Sequence, residues 1–110
     1  MMPKQTNVKA YLIDPLGKLV TEISLPPTND AIYRAIEADW YAPIQIGKSV
    51  NYFLVDEEGY LREKKVWWRL KGFNESLVNK AVVIGMVDAG FIDVTTKLDF
   101  IKSLVIFLED

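Results

Sequence analysis

Cysteine and histidine are both absent from the 110 residues. Without them there are no thiolate nucleophiles, disulfides, cysteine or imidazole zinc sites, and no ordinary proton shuttle near neutral pH. Phosphate-cradling loops and nucleophile elbows are missing too, so the expectation is a protein without catalytic activity and without a cofactor. Excess charge of either sign is also lacking: 13 basic residues stand against 15 acidic ones, a formal net charge of -2. Polyphosphate backbones attract proteins through a strongly positive field, and here only a local basic patch could supply one. No apolar run approaches the roughly 20 residues of a membrane-spanning helix. The opening MMPKQTNVKA carries no hydrophobic stretch of the kind found in secretory leaders. The expected setting is the cytoplasm with no membrane partner, where the glycosylation acceptor Asn74-Glu75-Ser76 is inert.

What is present is the composition of one ordinary domain, 50% hydrophobic and 25% charged. VKAYLID (residues 8 to 14) and LVTEISL (19 to 25) are rich in β-formers and flank DPLGK. Pro15 fixes φ there and Gly17 permits a positive one, so the pair reads as a hairpin. In its second strand Leu19, Thr21, Ile23 and Leu25 share one face and Val20, Glu22 and Ser24 the other, predicting one buried and one wet side. Pro26 and Pro27 stop the sheet, and Thr28, Asn29 or Asp30 caps a short helix, AIYRAIEAD, with Ile32, Ala35 and Ile36 as its apolar stripe. Trp40 follows directly and is expected in the core. Pro43 marks YAPIQIG as an edge or irregular strand.

NYFLVD (51 to 56), the turn EEGY and the returning LREKKVWWRL read as a second hairpin, with Gly59 in a left-handed turn position. KAVVIGMVD (80 to 88) is apolar on both alternating faces, the pattern of a central strand. Thr96 and Asp99 resemble a shortened capping box before KLDFIK, and LVIFL (104 to 108) follows as a buried terminal strand. The predicted order is β-β-α-β-β-β-β-α-β: a single α+β domain over residues 1–110 with a largely antiparallel mixed sheet and two short helices.

The segments VKAYLIDP, DAIYRAIEAD, LVDEEGYL, RLKGF, NKAVVIG and LVIFLED together resemble an uncharacterised family of small domains found on bacteriophages, plasmids and related mobile elements. The likeness spans most of the chain, and its motifs are a strand, a turn and a glycine, with no catalytic signature. This chain departs from it in the paired tryptophans and the apolar tail. The resemblance implies a context, intracellular and carried by a mobile element, and no activity.

Two acidic features bear on chemistry. Asp56, Glu57 and Glu58 cluster at a turn, and hard cations prefer clustered oxygen ligands, yet consecutive side chains on an extended segment point apart and the spacing is not that of an EF-hand. No metal is expected. Paired carboxylates elsewhere could serve acid-base hydrolysis, although no pair among the 15 acidic residues is marked out by its surroundings in the sequence.

KKVWWRLKGF (64 to 73) carries the sharper signal. On a strand, Val66, Trp68 and Leu70 face one way and Trp67, Arg69 and Lys71 the other. One indole is then buried and one displayed beside two cations, with Arg62 and Lys65 extending the basic patch. Such a face can stack on a flat ligand or base and pair with phosphate, and it has the composition of an interface hot spot. The competing reading tucks Trp67 under a loop or against the C-terminal strand, with the aliphatic stems of Arg69 and Lys71 over its ring. The function expected is a small non-enzymatic binding module engaging a host protein or a nucleotide-like small molecule, with homodimerisation as a further possibility. The alternative is single-stranded nucleic-acid binding through the same basic-aromatic stretch, and a carboxylate-dependent hydrolase is the third class.

Overall fold

A computed structural model describes residues 6–108; the first five residues of the N-terminal segment and the last two of LVIFLED lie outside the described residues. In chain order the elements are β1 (Val8–Asp14), β2 (Leu19–Leu25), α1 (Asn29–Ile36), β3 (Tyr41–Gln45), β4 (Asn51–Asp56), a 3-10 turn (Gly59–Leu61), β5 (Trp67–Leu70), β6 (Ser76–Val78), β7 (Ala81–Val87), β8 (Gly90–Ile92), α2 (Leu98–Leu104) and β9 (Val105–Phe107). The class is α+β, with antiparallel pairing between the described strands. The short strands β6 and β8 are additions to the order expected from sequence.

The uninterrupted apolar run of β7 puts it in the middle of the larger sheet, ordered β2-β1-β7-β4-β3, with β8 beside the end of β7. Alternation along these strands splits the core in two. Tyr11, Ile13, Phe53, Val55, Ala81 and Val83 face one way and pack with Trp68, Leu70, Leu77, Val94 and Ile101. Ala10, Leu54, Val82 and Ile84 face the other way and pack under Ile32 and Ile36 of α1. The domain is therefore layered: α1, the larger sheet, then a three-stranded sheet β6-β5-β9 together with α2. Each fully buried Val, Leu, Ile or Phe contributes about 1.5–3 kcal/mol relative to an exposed one, which is why both faces of β7 need a cover.

Several expectations change. No hairpin joins β4 to β5. Both edges of β4 are already taken, by β3 on one side and β7 on the other, so the returning chain has no partner there and enters a second sheet. Gly59 does not adopt positive φ; it opens the 3-10 turn, where a Cβ would stand 3.1 Å from the Cβ of Val78. In the first turn the positive φ belongs to Lys18 (55°), not Gly17, and the Asp14 carboxylate accepts the N–H groups of Leu16 and Gly17. Along β2, Val20 is buried on one face and Leu25 on the other, because the sheet beneath this edge strand is covered on both sides and α2 and α1 reach different ends of it. Trp40 is 59% exposed rather than core. Helix α1, capped at its start by the Thr28 hydroxyl, ends at Glu37 in a left-handed conformation (φ 57°). The N–H groups of Glu37 and Ala38 donate back to the carbonyls of Arg34 and Tyr33, and the chain leaves outward before the indole.

The tail is the expected short helix and strand, but β9 is an outer strand of the small sheet with Ile106 exposed, not a buried one. Thr96 does not cap α2, whose N-cap is Lys97 without a side-chain bond. Its hydroxyl accepts instead from Asn51, a fully buried amide whose Nδ2 also donates to Thr95 Oγ1 and whose Oδ1 accepts the Thr95 N–H at 2.9 Å. Tyr11 donates its hydroxyl to the Thr96 carbonyl at 2.6 Å. Residues 95–96 are thereby tied to β4 and β1. Gly85 is needed beside this crossing, because a Cβ there would lie 2.7 Å from the Asp93 carbonyl oxygen.

Removing the Asn51 amide leaves buried donors and acceptors without partners. Asn51→Ala is expected to lower unfolding free energy in urea by about 1–3 kcal/mol. Gln45→Ala, which deletes an exposed hydrogen bond in the same β3–β4 hairpin, should change it by about 0.5 kcal/mol or less.

Candidate functional site

The paired indoles are separated by strand geometry and fixed by one asparagine. Val66 begins a stretch in which the backbone is extended, and β5 takes the middle of the small sheet with Trp67 opposite Val78 and Trp68 opposite Leu77 and Phe107. Trp68 is fully enclosed, 6.3 Å from the ring of Phe53, and Trp67 on the outer face is 39% exposed. Asn79 holds this arrangement. Its backbone is left-handed (φ 64°) where the chain passes from β6 to β7. Its N–H donates to the Val66 carbonyl and its side-chain oxygen accepts the Val66 N–H, both at 2.9 Å. Its amide donates to Lys64 O, and its own carbonyl accepts the Trp68 indole N–H at 2.8 Å. All four polar groups of one residue thus grip residues 64–68.

On the outer face the Trp67 ring meets Tyr60 at a centroid distance of 5.7 Å, tilted by 48°. Tyr60 comes from the 3-10 turn and is anchored by donating its hydroxyl to the Ser76 carbonyl. Arg69 is opposite Ser76 on one side and Ile106 on the other, so its exposed side chain rises between them. Lys71, also exposed, opens the turn after β5, where its N–H donates to Leu104 O and Gly72 takes a φ of 83°. Lys65 is exposed in the loop before Val66. The outer face therefore carries Trp67, Tyr60, Arg69 and Ile106, with Lys71 and Lys65 at the two ends of the strand. Of the two readings of Trp67, the residue is neither enclosed nor free: its ring lies against Tyr60 and 39% of its surface is exposed.

Arg62 does not join this face. Its Nε donates to Asp56 Oδ2 at 2.7 Å and its Nη2 to Oδ1 at 3.2 Å. The guanidinium pKa is raised by that hydrogen bond first and by the Asp56 charge second. Asp56 is largely buried and also accepts the Glu58 N–H. The Asp56 carboxylate is thus committed within the chain, and among the described residues no group of three or more His, Cys, Asp or Glu is placed to hold a metal ion. Arg62 instead lines a cleft of about 610 Å³ together with Leu16, Ile36, Glu37, Lys64 and Lys80. There Lys80 donates to Glu37 at 2.9 Å, and its pKa is raised chiefly by that bond. Glu37 is well exposed, so this second pair adds little to stability.

Sequence reasoning found the division of the indoles but not Asn79 or Tyr60. Asn79 had a legible signal, an amide residue tolerant of left-handed backbone between two β-forming runs. Tyr60 had none, since its contact depends on where the 3-10 turn lands. Comparison of the chain with family models, with curated proteins and with solved structures gives no match.

The two indoles should separate cleanly on truncation. Trp68→Ala is expected to cost about 3–5 kcal/mol of unfolding free energy, and Trp67→Ala about 1 kcal/mol, the worth of an aromatic pair at the surface. Chemical denaturation of both variants measures this, and equal losses would contradict the assignment of one ring to each face.

Proposed function

We propose that this chain is a non-enzymatic binding module that engages a partner protein through the outer face of the small sheet. The observation that carries this reading is the joint display of Trp67, Tyr60, Arg69 and Ile106 on one side of three short strands. Truncation-sensitive interface positions are enriched in Trp, Tyr and Arg, and here those residue types sit side by side on a rigid support. The support matters because Trp68 and Asn79 fix the backbone beneath the ring, so little ordering entropy is left to lose on association. A sheet surface rimmed by a turn suits a protein better than a nucleotide-like molecule, which is ordinarily held in a concave pocket. In line with the resemblance to mobile-element domains, the partner we propose belongs to a host cell.

Single-stranded nucleic acid is the second reading, favoured by one observation: the Trp67 ring lies next to Arg69 on a strand flanked by Lys65 and Lys71. Against it stand the net charge of -2 and the commitment of Arg62 to Asp56. Self-association through the same face is the third, favoured by the exposed Trp67 and Ile106 and by the outer strands β6 and β9, each paired on one side only among the described residues.

Affinity capture from candidate host cells with wild type, Trp67→Ala and Arg69→Glu tests the proposal. A protein retained by wild type and lost by both variants, with melting temperatures preserved, is the expected result; retention by all three would overturn it. Oligonucleotide binding that falls steeply with salt would instead favour the second reading, and light scattering that gives twice the monomer mass, lost in Trp67→Ala, the third.

A further inference from the structure

A second aromatic surface lies on the α1 side of the larger sheet, away from the small-sheet face. Four rings from four segments form a row. Trp40 of the α1–β3 connection meets Tyr33 of α1 at 6.1 Å and 70°, Tyr33 meets Tyr41 of β3 at 5.6 Å and 38°, and Tyr41 meets Phe91 of β8 at 6.3 Å and 63°. Trp40 is mostly exposed and the other three are half-buried. The middle of the row is held in place, because the Tyr41 hydroxyl donates to Asn29 Oδ1 at 2.9 Å. Burial first, and the neighbouring Tyr33 second, raise the pKa of that hydroxyl, so it stays protonated and keeps donating.

Only the inner end of the row serves the core: Tyr41 and Phe91 pack against the cluster under α1, whereas Tyr33 and Trp40 are not part of it. The cluster under α1 is built on Ile32, Ile36, Leu54, Val82 and Ile84, and Trp40 adds no enclosed surface to it. A tryptophan left 59% exposed at the end of a row of rings, against Tyr33, has the character of a contact residue.

Three features narrow what that occupant is. The rings are tilted against one another by 38° to 70°, which makes ridges and furrows and not the flat platform that a sugar ring or a nucleobase stacks upon. Shallow clefts lie on both sides: one of about 470 Å³ lined by Asp30, Tyr33, Arg34 and Asp39, and one of about 360 Å³ lined by Pro27, Tyr41, Val87 and Phe91. Finally, strand addition at the nearby β3 edge is disfavoured. Ile46 donates its N–H inward to Asn51 O. By alternation Ala42 and Ile44 also point toward β4, which leaves Tyr41, Pro43 and Gln45 outward, and Pro43, the middle one of these three, has no N–H to offer. A partner in extended conformation is then recognised more through its side chains than through a main-chain ladder.

Aromatic furrows that read side chains without a ladder fit the polyproline II helix, which has no internal hydrogen bonds and is already stiff before binding. Charge adds a further requirement. In the first cleft Glu37 is engaged by Lys80 and Arg62 by Asp56, so Asp30 and Asp39 outnumber the remaining cation, Arg34. We infer that the Trp40–Tyr33–Tyr41–Phe91 row is a docking site for a proline-rich segment of a partner protein that carries an arginine or lysine beside the prolines.

The test uses the full chain, ¹⁵N-labelled, titrated with a synthetic proline-rich peptide bearing flanking arginines. The expected result is a saturable shift of the Trp40 indole N–H and of amides around Tyr33 and Tyr41. Trp40→Ala should weaken binding about tenfold or more, the scale of an interface hot spot. Asp39→Lys should weaken the arginine-flanked peptide but not its glutamine-flanked counterpart, and Trp67→Ala should leave both unchanged. That last variant separates this site from the small-sheet face, so either proposal can fail alone. No saturable shift at millimolar peptide, equal affinity in Trp40→Ala, or a Trp40-dependent response to a soluble oligosaccharide with none to the peptide would each overturn the inference.

Discussion

A strand enclosed on both faces is the constraint from which the rest of the molecule follows. Ala81 to Gly85 of β7 are all buried, so apolar side chains leave this strand in both directions and each set needs a cover. Helix α1 supplies one with Ile32 and Ile36. The other is not a helix alone: Ile101 of α2 packs there, and the chain that follows β4, which is β-forming and finds both edges of β4 occupied, supplies the rest. It builds a second, smaller sheet, and Trp68 is the large side chain that fills the space between the two sheets.

The layers are joined by polar residues as much as by apolar packing. Asn51 ties β4 to residues 95–96, and Asn79 ties the β6–β7 connection to residues 64–68. Both amides place their donors and acceptors on backbone or hydroxyl groups, and among the described residues no buried side-chain polar atom lacks a partner. Satisfied networks of this kind specify one arrangement, since any shift of register leaves an amide unpaired at a cost comparable to a lost hydrogen bond. The outward display of Trp67 is a product of this specification: with Trp68 fixed inward by packing and by its indole N–H, the preceding side chain on an extended backbone has to face the other way.

The consequence for function is two aromatic surfaces on the two outer sides of a layered domain. They differ in electrostatics. The small-sheet face places Trp67 and Tyr60 among Arg69, Lys65 and Lys71, whereas the row on the α1 side runs beside Asp30 and Asp39. Their chemical preferences are therefore opposite in sign, and the larger sheet stands between them. The two partners we propose would therefore occupy separate surfaces.

Much of this was legible in the residues. Hydrophobic alternation and β-branched runs located β1, β2, β4 and β7 at their observed positions, Pro43 identified an edge strand, and the parity of Trp67 and Trp68 separated a core ring from a displayed one, because side-chain period along a strand is a local property of the backbone. What local chemistry could not fix was partnership. Whether β5 returned to β4 depended on which edges other strands had already taken, whether Arg62 joined the basic face depended on Asp56 lying within reach of it, and whether Trp40 was enclosed depended on the direction in which Glu37 ended its helix. Sequence alone determined which side each residue of a strand would present. Only the tertiary structure decided what waited on that side, since hydrogen-bonding edges and counter-charges are supplied by segments far away along the chain.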